Sequence, residues 1–296
     1  MGDIHWAIAK IFNLKQKLGR EILLSVASKN ELRRAEEFVQ LLSPNVRWAG
    51  YDDSVTSFEV MQNCLGDDWA DCNGKYDYLC GKPWKINLSC NLWLERSKKL
   101  SDWLPKLPLD WHYPINIPQE HYHEADSIMQ RLGPNTFFCF VSNKEKDRQV
   151  RPGWNIWNTD EWVEFLTGVH NIPECRNYSF LFSGASWDYD RTKDVYEIMK
   201  SRGCKTEMVV GKHLGITLAC LKRCKFSFQF PGGVGLLANN LNVPTIFLLP
   251  RILKSMQDNI ADPMDMAYDN FKTMVRPTVS EALTWFIREG YPANFG

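Results

Sequence analysis

The stretch VVGKHLGITLACLKRCKFSFQFPGGVGLLANNLNVPTIFLLP, residues 209–250, decides the fold. Its segment 214–224 reads as a helix whose first eight residues, LGITLACL, carry no charge, and KFSFQF (225–230) is a short aromatic run of strand length. Gly232-Gly233 then opens a second helix through 242, and Pro244 begins another strand, PTIFLLP. Helices and short apolar strands alternating with brief connections predict a parallel sheet covered by helices.

The same rhythm extends backwards. TFFCFVS (136–142) is a continuous apolar strand, and Thr159 caps a helix over 160–170 with Asp160 and Glu161 in its first turn, where the helix dipole favours them. YSFLFSGA (178–185) is a strand ending in a small-residue turn. A helix over 190–202 stops at Gly203, and a strand at 205–210 follows. This is a doubly wound, Rossmann-like domain. Nearer the start, Ile4, Ile8, Ile11, Phe12 and Leu18 recur at helical spacing over 4–18. EILLSVA (21–27) reads as a buried strand, and 30–42 as an amphipathic helix ending at Ser43-Pro44. Residues 50–132 run from an acidic stretch into a Trp-, Pro- and Tyr-rich region. There 103–115 reads as loop, and 119–132 as a helix closed by Gly133-Pro134, where the domain boundary is placed. After residue 260 an irregular segment leads into a helix from Ser280 to Glu289.

Composition narrows the class. The 296 residues are 44% hydrophobic and 24% charged, enough for a substantial core and unlike a disordered or fibrous chain. No apolar run reaches the ~18 residues of a membrane span. The 35 basic and 35 acidic residues balance, which argues against a broad nucleic-acid footprint. The nine cysteines are odd in number and none lies in a Cys-x-x-Cys. With no signal peptide at the start, they read as reduced thiols of a cytoplasmic protein. Cys64, Cys72, Cys80 and Cys90 cluster in sequence, but at spacings unlike a zinc knuckle or ribbon.

In an open parallel sheet, ligands bind beyond the carboxyl ends of the strands. FQFPGGVGLLANN (228–240) runs from a strand through Gly232, Gly233 and Gly235 into a helix. Glycines admit a phosphate close to the backbone, and the first helical N–H groups carry partial positive charge. Tight packing explains such a turn equally well, and the spacing is neither a Walker loop nor a dinucleotide fingerprint.

Four ordered segments resemble the heptosyltransferase family. The block 209–250 is similar to its donor-binding end, GWNIWNTDEWVEFL (153–166) to its Lys-x-Trp-Pro segment, FSGASWD (182–188) to its Gly-Ala turn, and GDIHWAIAKIFNLKQ (2–16) to its Gly-Asp-x-x-His start. The resemblance implies a GT-B architecture of two Rossmann-like domains facing across a cleft. An acceptor-binding domain would span 1–132 and a nucleotide-sugar domain 133–275, with a helix in 276–296 returning to the first domain. The family opens with a strand before its Gly-Asp, so the first strand is missing or shortened here.

The implied activity is an inverting glycosyltransferase that moves a sugar from a nucleotide-diphosphate sugar to a hydroxyl acceptor, a glycan before DNA, with neither metal nor other cofactor. By resemblance Asp3 falls on the catalytic base. Ser183, Gly184, Asp188, Gly211, Lys212, His213, Gly232, Gly233 and Val234 fall on donor-binding positions. Bland readings stand beside these: a helix N-cap for Asp3, a solvated carboxylate for Asp188, and exposed surface for Lys212 and His213. Three positions depart from the family. Pro231 replaces its turn aspartate, Leu236 its histidine and Asn155 its lysine. Arg151, or Arg148 and Lys146 beside it, is the substitute cation, by a two-pronged guanidinium contact to phosphate. Two other functions fit the same fold. One is sugar transfer to hydroxymethylated bases in DNA, with the 12 tryptophans as stacking surfaces. The other is a nucleotide-sugar epimerase or a non-catalytic sugar-nucleotide binder.

Overall fold

The computed structural model describes residues 22–27, 33–42, 46–51, 84–89, 112–141, 157–230, 233–249 and 271–290, together with Ile8. The chain divides into two compact units, Met1–Pro118 and Gln119–Gly296. Apart from Ile8, which is helical and buried, the expected helix over 4–18 lies outside the described residues, as do the question of a missing first strand and the Cys64/Cys72/Cys80/Cys90 group.

In the first unit, β1 (Ile22–Ala27) leads to α1 (Arg33–Gln40), β2 (Val46–Tyr51) and β3 (Trp84–Ser89). The strands form a parallel sheet in the order β2-β1-β3. The helix expected over 30–42 is confined to 33–40, with a turn at Leu41-Leu42. Ala35, Phe38, Val39 and Leu42 are buried at i, i+3, i+4 and i+7, the spacing of one helix face. Against β1 the register of β2 slips, Leu24 pairing with Trp48 but Ser25 with Gly50. Gly50 has φ +98°, a conformation a side chain would strain.

The second unit opens with α2 (Gln119–Leu132), followed by β4 (Thr136–Phe140), α3 (Thr159–Asn171), β5 (Ser179–Ser183), α4 (Tyr189–Ser201) and β6 (Thr206–Met208). Next come α5 (Leu214–Leu221), β7 (Phe226–Gln229), α6 (Gly233–Asn240), β8 (Thr245–Leu249), β9 (Phe271–Val275) and α7 (Val279–Trp285). Six parallel strands lie in the order β6-β5-β4-β7-β8-β9. Every residue of β4, β5, β7 and β8 is buried, which is why these strands read as unbroken apolar runs rather than alternating ones. On one face Phe137, Phe180, Phe182, Phe226, Phe228 and Phe230 pack with Trp157, Trp162, Phe165 and Phe286. Each such ring contributes on the order of 1.5–3 kcal/mol by leaving water.

Several boundaries differ from the sequence reading. Asn158, not Thr159, caps α3: its Oδ1 accepts the Glu161 N–H at 2.9 Å while Glu161 Oε2 accepts the Asn158 N–H at 2.7 Å. The units part after Pro118, so α2 belongs to the second one, not the first. Gly133-Pro134 does end the helix, but Ala125, Ile128, Met129 and Leu132 form an apolar stripe that this unit buries. The strand β9 falls in the segment read as irregular. It is the sheet's edge, only Phe271 is buried, and Lys272 breaks the apolar run. The last helix starts at Val279, one residue before the expected Ser280, and is capped by Thr278 with Glu281. Val279, Ala282 and Phe286 join the core of the second unit, and Leu283 lies against Gly168 of α3. These residues of the C-terminal segment thus pack on the second unit. No helix among the described residues is long and apolar enough to cross a membrane.

Candidate functional site

From β4 the chain winds outward through β5 and β6, then returns to the other side of β4 to place β7, β8 and β9. The reversal lies between β4 and β7, whose registers pair Phe140 with Gln229. In a doubly wound sheet that switch point leaves a crevice at the carboxyl ends, because the flanking connections diverge to opposite faces. The strands on this side of the sheet end along the same carboxyl edge, β4 at Phe140, β5 at Ser183, β6 at Met208 and β7 at Gln229.

The start of α6 comes directly after β7. Only residues 231 and 232 separate Phe230 from Gly233, so the first N–H groups of this helix, which have no partner within the helix itself, sit at the reversal. Gly233 is half-buried, whereas Val234 and Leu236 are buried. Leu236, standing where the resembled family has histidine, is thus a packing residue, and Val234 offers its backbone rather than its side chain. Gly235 lies so close to β8 that a Cβ would come within 2.7 Å of the Phe247 ring and 3.2 Å of Gln229 Oε1. Gln229 is fully buried, its Nε2 donates to Ser227 Oγ, and its Oε1 has no partner among the described residues.

The turns after β5 and β6 are brought together by a hydrogen bond from the Gly211 N–H to the Gly184 carbonyl, at 3.4 Å. Ser183 and Gly184 are buried, and a Cβ on Gly184 would meet Asp188 Cβ at 2.8 Å. Asp188 is 1% exposed, and its Oδ2 accepts the Ala185 N–H at 2.9 Å. This carboxylate, one of the expected donor-binding positions, therefore also shapes the turn from within. Gly211 has φ +76°. Lys212 pairs with Glu124 of α2 at 2.5 Å, an exposed ion pair that contributes little. His213 caps α5 by accepting the Gly215 N–H on Nδ1 at 3.0 Å, and its ring stacks on His121 with centroids 4.3 Å apart. Both side chains are thus engaged with α2 and α5. Sequence reading missed this role of α2. The one signal was Gly215, where a Cβ would come within 2.2 Å of the His121 ring.

Asp3, Arg151, Gly232, Asn155 and Pro231 lie outside the described residues. Among the described residues no group of three His, Cys, Asp or Glu side chains could hold a metal ion.

This strand order, with helices on both faces and a second parallel α/β unit before it, is the GT-B fold of heptosyltransferase-like glycosyltransferases. Among solved structures, the chain is similar to Escherichia coli ADP-heptose LPS heptosyltransferase II, with a TM-score of 0.59 at 11% identity over 99% of this chain and 93% of that one. A glycosyl transferase of family 9 from Veillonella parvula gives 0.57 at 14% identity, covering 98% and 88%. The Escherichia coli heptosyltransferase WaaC, solved with ADP, gives 0.53 at 12% identity, covering 98% and 97%. No protein-family model matches the chain. No curated protein matches it either.

Proposed function

We propose that the chain is a glycosyltransferase that takes a sugar from a nucleoside-diphosphate sugar and passes it, with inversion, to a hydroxyl of a glycan. The observation that carries this reading is the start of α6 directly behind β7 at the β4/β7 reversal. It is the place in this fold where oriented N–H groups meet a departing diphosphate. The similar structures agree with it, since one of them holds ADP.

In this mechanism Asp3 is the general base. It takes the proton of the acceptor hydroxyl, whose oxygen attacks the anomeric carbon on the face opposite the diphosphate. The carbon–oxygen bond to the diphosphate breaks as the new one forms, and the diphosphate leaves with the electron pair. Gly232, Gly233 and the backbone of Val234 receive it, with Arg151 supplying the positive charge a metal would otherwise bring. Ser183 and Gly184, with the backbone of the Gly211–His213 loop, line the nucleoside. Asp188 holds their turn.

Thermal unfolding against ADP, UDP, GDP, CDP and dTDP tests donor binding. One nucleotide at about 100 times its Kd stabilises the fold by ~2.7 kcal/mol, a shift of a few degrees. No shift with any of the five removes the donor assignment. Asp3→Asn is expected to lower kcat by about 10²–10⁴-fold with nucleotide affinity held within a few-fold. Undiminished turnover would remove Asp3 from its role.

A further inference from the structure

The loop after β6 runs through Gly211, Lys212 and His213 straight into α5, where the His213 carbonyl accepts the Thr217 N–H at 3.1 Å. Toward the turn after β5, the Gly211 N–H reaches the Gly184 carbonyl at 3.4 Å, the long end of the hydrogen-bond range. The firmer contacts come from α2. His121 and Glu124, at i and i+3, lie on one face of that helix. The His121 ring lies against His213 with planes 22° apart, and Glu124 Oε1 accepts from Lys212 Nζ. Gly215 makes room for this arrangement, since a Cβ there would strike His121 Cδ2. The rest of α2 is anchored separately. Its apolar stripe is buried, and Asp126 pairs with Arg223 beyond the end of α5. The Arg223 guanidinium also lies 4.9 Å from the centre of the Tyr122 ring, and Arg131 pairs with Glu207 of β6.

We infer that His121 is a positioning residue for the nucleoside of the donor, its ring bracing the Gly211–His213 loop from outside. The inference rests on the donor-binding reading given above. One arrangement accounts for three residues that local structure does not call for. Serine, threonine, aspartate or asparagine is the usual helix cap, yet α5 is capped by His213. Alanine suits a first helical turn better than glycine, yet Gly215 stands there. A ring on α2 fills the space that this glycine leaves. The loop itself buries little: Gly211 is exposed, with φ +76°, and Lys212 is half-buried. Such a segment opens locally at small cost. Without the brace, the fraction of loop in the binding shape falls, and apparent affinity falls by the same factor. The stacked pair sets that fraction without deciding whether the unit folds, because the apolar stripe and the Arg223 contacts hold α2 in place. The exposed Lys212–Glu124 pair adds little.

The test is isothermal titration of the full chain with ADP, UDP, GDP, CDP and dTDP. The parent nucleoside and inorganic pyrophosphate are then measured by their displacement of the diphosphate that binds. His121→Ala is expected to weaken that diphosphate and its nucleoside alike, about fivefold, the worth of one stacked ring pair. Pyrophosphate should stay within about twofold. His121→Phe keeps a ring at the position and should recover most of the loss. Gly215→Ala drives a methyl into the His121 ring and should reproduce the loss, but should add nothing to it when combined with His121→Ala. Asp126→Asn loosens α2 elsewhere and should leave the nucleoside-to-pyrophosphate ratio unchanged. A purely structural role would lower stoichiometry or Tm in His121→Ala and leave that ratio at its wild-type value, and this result overturns the inference. So does the same selective loss in Asp126→Asn. If His121→Ala does not fold, the ratio in Gly215→Ala decides in the same way. Wild type binding none of the five diphosphates removes the donor reading itself, whereas wild-type binding with unaltered ratios in the variants removes only the brace.

Discussion

Glycines and cysteines set what single substitutions can do in the second unit. A Cβ at Gly184 meets Asp188 Cβ at 2.8 Å, and neither partner is the free end of a long side chain. Gly184→Ala is therefore expected to cost ~1–3 kcal/mol in urea unfolding and to push the turn after β5 outward. Gly235→Ala drives into the Phe247 ring and belongs to the same range. Burial pushes the Cys175 and Cys220 thiols up to about 12, and those of Cys139 and Cys224 well above the ordinary thiol value. A group raised in the folded state adds stability that is complete below its unfolded value, near 9 here, and is lost as pH rises toward about 12. Alkaline unfolding should therefore set in across that window. Brief alkylation at pH 8 should leave these four thiols unlabelled until denaturant is added, as peptide mapping would show.

At the scale of elements, helix ends carry local signals that sequence can supply, and edges do not. The Asn158–Glu161 box at α3 closes through two bonds, and Asn158→Ala is expected to lower unfolding stability by ~1 kcal/mol. At α7, the Thr278 N–H and then its hydroxyl hold the Glu281 carboxyl below the usual carboxylate range. Its contribution to the cap is present above that range and lost as pH falls through the lowered value. Glu281→Gln and wild type should therefore differ in Tm at neutral pH and converge in acid. The strands β4, β5, β7 and β8 were legible because burial on both faces demands an unbroken apolar run. The half-exposed β9 was not, since only Phe271 is buried. The candidate site divides the same way. The glycine turn before α6 is a local signal. The pairing of Glu124 with Lys212 and the stacking of His121 on His213 join residues distant in sequence, and one chain without its fold offers no cue to such pairs.

Across the whole molecule, the division after Pro118 makes a prediction about fragments. A fragment of residues 119–296 keeps α2 over α5 and is expected to unfold in one cooperative transition by circular dichroism. A fragment starting at 133 loses Ala125, Ile128, Met129 and Leu132 from that interface, and should unfold at lower temperature or aggregate. The order β6-β5-β4-β7-β8-β9 also sets a timetable for synthesis. The central strand β4 emerges from the ribosome before every other strand of its sheet. It gains β5 early, yet its other edge stays open until Phe226–Gln229 has been made. Through that interval the nascent chain displays an aromatic strand with unpaired amides, a ready template for pairing with another chain. A stall or premature stop between β5 and β7 would release such a half-sheet, so the burden on chaperones falls in the middle of translation rather than at its end.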